Sequence, residues 1–266
     1  MISKAQIAII KKDIRSIAAS KRMLTVLLVV PFVMTVVLPC AFMIPILLSP
    51  DNSPDLAQMI KLLESADFNM EGGNQRYMVI NLILNYMMPL FFLMIPIMAS
   101  SVMASSSLVG EKERKTLETL LYSPLPLKEI FNAKILASFS LSMAVSFFSF
   151  IIMLAVIETI VFVLVKIIAI PDINWLITML LVSPAASFIA ISLIVRASAK
   201  AHSSEEAQQT SLLLITPVIL LIVGQFSGVM KLGTHVFLIL GVVLAIIAVL
   251  VFKSSFAKFK YEALLR

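Results

Sequence analysis

The chain has 266 residues, of which 60% are hydrophobic and only 14% charged, with a formal net charge of +6; its mean hydropathy is +1.04. Soluble domains carry about a quarter charged residues, so a water-soluble fold is excluded. Most of the length is consumed by apolar runs of membrane-spanning size, about 20 residues each, which leaves no room for a separate catalytic domain.

The amino-terminal stretch places Ile7, Ile10, Ile14 and Ile17 at helical spacing, with Lys11, Lys12, Arg15, Lys21 and Arg22 available to anionic headgroups. That pattern predicts an interfacial helix on the inner leaflet. The apolar run at 24–48 is too long for a signal-peptide core and offers no small-x-small cleavage site, and Val37-Leu38-Pro39 lacks the small residue of a lipoprotein site before Cys40, so it reads as a retained first span. Cys40 is the single cysteine, which precludes an intrachain disulfide. In the following loop Ser53 is a candidate N-cap, Pro54 suits a first helical position, and Leu56, Met59, Ile60 and Leu63 form a stripe. A short amphipathic surface helix is expected there.

The second run covers 77–109 and carries Asn81 and Asn85 on one helix face. Between it and the third run lies a charged segment, Gly110-Glu111-Lys112-Glu113-Arg114-Lys115-Thr116-Leu117-Glu118, continuing through Leu120, Leu121, Ser123 and Pro124. Glu111 stands four residues before Lys115 in the favourable order, and Leu117, Leu120 and Leu121 share a face, so its first half is predicted helical. Pro124 and Pro126 stop that helix, and a new one begins near Leu127 and runs through Lys134 into the third run.

The third run, 135–165, presents Ser142, Ser146 and Ser149 as a polar stripe, and Glu158 is the only carboxylate within an apolar run. At about 1.5 Å per residue Glu158 falls roughly 30 Å from Ala137, at the outer interface. There it serves either as a hydrated interfacial carboxylate or as a contact for a cation or peptide. The serines and asparagines either line a substrate path or let helices pack and hydrogen-bond. Runs at 175–195, 211–223 and 235–252 complete six spans in a single transmembrane domain over 1–266, the fifth being short. Pro31, Pro39, Pro45, Pro89, Pro96, Pro184 and Pro217 interrupt the spans; each permits a kink, as a hinge or as a static bend. The glycine-bearing segment 224–233 suits a re-entrant connection or a plain loop. Ser203 and Glu206 have capping-box spacing before the fifth run.

Orientation follows from the basic residues of the connecting segments. Seventeen Lys and Arg fall in the two termini and the 110–134 and 196–209 segments, against four in the alternate segments. Both termini are therefore expected in the cytoplasm, as an even number of spans requires. The absence of disulfides and the short loops suit a bacterial plasma membrane.

Catalytic readings find no residues to carry them. None of the seven glycines is followed by lysine, so no Walker A loop exists to surround phosphates. The two histidines, His202 and His235, are expected on opposite sides of the membrane, with neither a zinc motif nor a nucleophile elbow. No catalytic residue, metal site or nucleic-acid partner is expected. An ion-coupled carrier would keep ionisable residues near the midplane and show repeated halves; neither is evident, and that class and a polytopic scaffold stand as the alternatives.

The 110–124 segment resembles the cytoplasmic motif between spans two and three of the permease subunits of type two ABC exporters, the group that includes sodium-export, antibiotic-resistance and peptide-export permeases. Ala207-Gln208-Gln209 at the start of the fifth run is similar to a run such permeases carry. The resemblance implies an all-α six-span subunit that works as a pair, with itself or a related permease, and has a cytoplasmic coupling helix between spans two and three. That helix would seat in a groove of a separate ATPase, two copies per assembly. ATP and magnesium would belong to that partner, with no cofactor in this chain and membrane lipids around it. On this resemblance Glu111, Glu113, Arg114, Thr116, Leu117, Glu118, Leu120 and Leu121 would carry the coupling. Sodium, peptide, antibiotic or lipid substrates all suit such a path.

Overall fold

The computed structural model describes residues 4–48, 80–81, 83–116, 126–166, 172–198, 201, 203–227 and 233–257. Among them every regular element is helical. Six helices are long and apolar enough to cross a membrane: Met23–Leu48, Ile83–Glu113, Glu129–Leu164, Ile173–Ala197, Ser204–Gln225 and Thr234–Val251. The helix expected at 53–63 lies outside the described residues. The fifth span is longer than hydropathy suggested, because its first turns are polar. A short helix, α8 (Ser204–Gln209), leads through a turn into α9 (Leu212–Phe226).

The other elements are α1 (Lys4–Ala19), α2 (Lys21–Phe32), α3 (Leu38–Leu48), α4 (Met88–Glu113), α5 (Leu127–Val165), α6 (Ile173–Ile177), α7 (Ser183–Ala197) and α10 (Thr234–Ala257). Among the described residues three π-helical turns occur, at Val33–Val37, Ile83–Met87 and Thr178–Val182. Each ends two residues before a proline, Pro39, Pro89 or Pro184. Proline supplies no amide to the carbonyl four residues back and its ring crowds that carbonyl, and widening the preceding turn relieves the crowding while the helix continues. The prolines thus take the form of local π turns at these three places, whereas Pro31, Pro45, Pro96 and Pro217 lie inside α-helix.

The second and fourth spans form the centre: 83% and 67% of an 18-residue apolar stretch in each is buried, against 17–22% of the corresponding stretch in the other four. In α4 the reason is composition. Ser100, Ser101, Ala104, Ser105 and Ser107 are small and buried, so neighbouring backbones approach closely. Leu108 and Val109 then pack with Phe131 and Ile135 of α5 and Ile191, Ile194 and Val195 of α7. The last span reaches the fourth at Gly241, where a Cβ would lie 2.6 Å from Leu181 Cδ2 and 3.2 Å from Val182 Cγ2. Only glycine permits that contact without displacing Leu181. Outward faces of α9 and α10 expose Leu213, Leu220, Ile239 and Leu250, as lipid-facing helices do.

Candidate functional site

The charged segment after the second span is anchored at one end of the bundle, the motif end. α4 does not stop at the apolar boundary but runs through Glu113, and Arg114 is its C-cap. Lys115 then adopts a left-handed conformation, φ 55°. The Thr116 amide donates to Glu111 O at 3.0 Å and the Lys115 amide to Lys112 O at 3.0 Å, which together close the helix in a Schellman motif. The expected helix through the first half of the segment is therefore interrupted at Lys115, because a left-handed residue cannot propagate a right-handed helix. The Glu111–Lys115 pairing expected from their spacing gives way to tertiary partners. α5 begins at Leu127, directly after Pro126. Leu117, Glu118, Leu120 and Leu121 lie outside the described residues.

Four charged side chains converge beside this cap. Lys134 Nζ, on the buried face of α5, donates to Ser107 O at 2.5 Å and stands 3.3 Å from Asp13 Oδ2 and 3.6 Å from Glu111 Oε1. Ser107 Oγ donates to the same Asp13 oxygen at 2.5 Å. Lys12 Nζ donates to Glu111 Oε1 at 2.6 Å, and Thr116 Oγ1 donates to Glu111 Oε2. Lys134 and Asp13 are only 2% and 4% exposed. Buried charges of this kind persist when paired and hydrogen-bonded, and here each has both. The cluster joins α1, α4 and α5.

The remaining motif residues bind the other neighbours. Glu113 accepts from the Ser204 amide at 2.8 Å and from Ser204 Oγ at 2.9 Å, placing a carboxylate on the first turn of α8. Ser203 is the N-cap of that helix, accepting from the Glu206 amide at 3.1 Å, as its spacing predicted. Gln208 Nε2 donates to Ser105 Oγ at 3.0 Å and Ala207 is buried in the same core. The helices that carry the two separate stretches of the resemblance are thus in contact. Arg114 Nη1 donates to Ser16 Oγ at 2.7 Å, and Lys112 Nζ to Ser198 O at 3.4 Å. The Gly110–Thr116 segment therefore touches α1, α5, the end of α7 and the start of the fifth span.

A family profile described as ABC-2 family transporter protein matches residues 7–235 of this sequence, a stretch that begins within α1 and extends into α10. The chain belongs to the ABC-2 transporter family. Comparison with curated proteins and with solved structures found no match. As an ABC-2 permease the protein is the multi-pass membrane component of an ABC transporter, a family whose members associate with an ABC ATPase.

Residues proposed for a substrate path are dispersed over this permease. Asn85 is buried at the opposite end of the second span and ties it to the fourth. Its Nδ2 donates to Asn81 Oδ1, while its Oδ1 accepts from the Asp172 amide at 3.0 Å. Asn174 Nδ2 donates to the Asn85 carbonyl, four residues before Pro89, at 3.3 Å, and Trp175 Nε1 donates to Leu84 O at 3.1 Å. Asn85 thus has a packing role in full view. Ser142 Oγ and Ser146 Oγ donate back to Phe139 O and Ser142 O of their own helix, whereas buried Ser149 lines an apolar groove of about 540 Å³ between the first and third spans. Glu158 is half-buried on α5.

Asp13 and Lys134 were missed by sequence reasoning. By position Lys134 reads as one of the loop charges of the 110–134 segment. The available signals were local: Asp13 is the only acid in α1 and lies four residues from both Ile9 and Ile17, and Lys134 follows Ala133 and precedes Ile135. The apolar stripe expected at Ile7, Ile10, Ile14 and Ile17 is correspondingly rotated. Ile9, Asp13 and Ile17 face inward, while Ile7 is 53% exposed.

Proposed function

We propose that this permease is the transmembrane half of an ATP-driven exporter and that the Gly110–Thr116 segment, with the residues following it, receives the force of a separate ATPase. The observation that carries this reading is the attachment of the segment. It is the end of the most buried span, and its side chains are bonded to α1, α5, α7 and α8. A displacement applied there is delivered to several spans at once, which a solvated loop could not do. The positive-inside rule supports a cytoplasmic location for this end and both termini. Two ATPase copies, holding ATP and magnesium, and a second permease copy or related permease complete the proposed assembly.

In this reading Glu113 and Arg114 orient the segment, and Glu111, Thr116, Leu117, Glu118, Leu120 and Leu121 share in the coupling. Among the described residues the buried charges, Asp13, Glu111 and Lys134, gather at the motif end, which supports ATP-driven motion over ion-coupled carriage. The test is purification of the full chain with its copurifying subunits, followed by reconstitution. Glu113→Lys, which sets a cation against the first turn of α8, is expected to reduce ATP-driven transport at least about ten-fold while membrane insertion is retained. Unchanged transport, or a native preparation without a nucleotide-hydrolysing subunit, would defeat the proposal.

A further inference from the structure

The helix that carries Asp13 inward presents a second face outward. Lys4, Lys11 and Arg15 are all exposed, and at about 100° per residue they fall within roughly 40° of one another around α1. The only acidic side chain of the helix, Asp13, points to the opposite side, into the bundle. Lys12 is withdrawn to one edge of the arc by Glu111. Exposed Ile7 borders the basic arc at its other edge, with half-buried Ile14 beside it. Apolar and cationic groups thus lie side by side on a single outward surface.

The position of that surface is constrained. α1 ends at Ala19, and Ser20, in an extended conformation (φ −89°, ψ 103°), turns the chain in one residue into α2. The first span starts at Met23. Ile17 packs with Leu27, Ala99 and Met103 of the first two spans, and Ile9 packs with Ile130 and Ala133 of α5. α1 is therefore held at the edge of the apolar layer and cannot leave it without breaking these contacts. Exposed Lys21, at the turn and two residues before the first span, adds a fourth cation.

We infer that this arc binds the phosphate headgroups of anionic phospholipids, with Lys4, Lys11, Arg15 and Lys21 as the cationic contacts and Ile7 seated among the upper acyl carbons. Long basic side chains reach headgroups while their methylenes cover apolar surface, and a helix with this arrangement lies in the interface plane. The inference rests on the spans and on α1, not on the ATPase. It assigns the basic residues unequally. Lys12 belongs to the ionic cluster and Lys4, unremarked in the sequence pattern, belongs to the lipid face.

The full-length protein reconstituted in phosphatidylcholine vesicles, doped with spin-labelled phosphatidylglycerol or spin-labelled phosphatidylcholine, reports selectivity as the ratio of motionally restricted lipid. The wild type is expected to prefer phosphatidylglycerol, with a preference that declines as salt rises. Combined Lys4→Gln, Lys11→Gln and Arg15→Gln should lower the ratio at least about five-fold, the effect of a single basic residue near an anionic surface. The charge-conserving set Lys4→Arg, Lys11→Arg and Arg15→Lys should keep it, which separates lost charge from lost fold. Lys166→Gln, at the other end of the third span, should also keep it. No preference in the wild type, or an unchanged ratio in the triple glutamine variant, would overturn the inference. So would a variant that keeps its lipid preference but loses a copurifying acidic protein, since the arc would then be a protein-binding surface.

Discussion

The two ends of the second span are held by opposite chemistry. At the motif end Lys12, Asp13, Glu111 and Lys134 form a network of ions whose members come from three helices. At the other end the ties are neutral: amides of Asn85 and Asn174, the Trp175 indole, and an aromatic cluster in which Phe92 and Phe150 stand 5.7 Å apart, as do Phe150 and Trp175. Neutral hydrogen bonds contribute about 1 kcal/mol each and respond little to salt. Buried ions differ in that removing one partner strands the other in a medium that solvates it poorly. One end of the central helix is thus a fixed joint, and the other is a joint whose strength depends on charge.

The sharpest way to break that contrast is Lys134→Met, which fills similar volume but leaves Asp13 buried with only the Ser107 hydroxyl. A loss of roughly 3–5 kcal/mol is expected, read as a large fall in the thermal midpoint of the detergent-solubilised protein. Adding Asp13→Leu should recover most of it, because no unpaired charge remains. If the single and double variants are equally unstable, the cluster acts by packing and the contrast fails. Asn174→Leu probes the neutral joint: it removes the bond to the buried Asn85 carbonyl and should cost about 1–3 kcal/mol, with no double-variant rescue by Asp13→Leu. A loss as large as that of Lys134→Met would show the two ends to be alike in strength. The smallest effect is expected at Lys115→Gly. The left-handed position at the end of α4 disfavours any side chain by about 1–2 kcal/mol, so glycine should raise the midpoint slightly. A decrease would mean that the Lys115 side chain has a role in the segment that the cap geometry does not require.

The six spans were legible because membrane insertion is read from local hydropathy, and each apolar run had to become a helix to satisfy its own backbone. The cap at Ser203 and the start of α5 after Pro126 were legible for a similar reason, since capping and proline sterics act within four residues. The Asp13–Lys134 pair was not, because its members are 121 positions apart and each alone looks like an ordinary interfacial charge. Nor was the end of α4: Lys115 has good helix propensity, yet the tertiary bonds of Glu111 and Glu113 favour stopping there. Asn85 was legible with Asn81 as one polar face, open to lining a path or to bonding between helices, and only the approach of α6 supplied its partners across helices.

By itself the sequence determined an all-helical membrane protein, the number of its apolar runs, and the charged segment on which the resemblance to type two ABC exporters rests, since all three depend on residue order within a few turns of helix. Tertiary structure alone decided which face of α1 is buried, which charges are spent on holding the bundle and which remain outside, and that both ends of the second span serve as joints. Those outcomes depend on contacts between helices. In a bundle whose surfaces are apolar throughout, hydrophobicity does not distinguish one helix face from another, so the few polar side chains and the smallest residues set the arrangement.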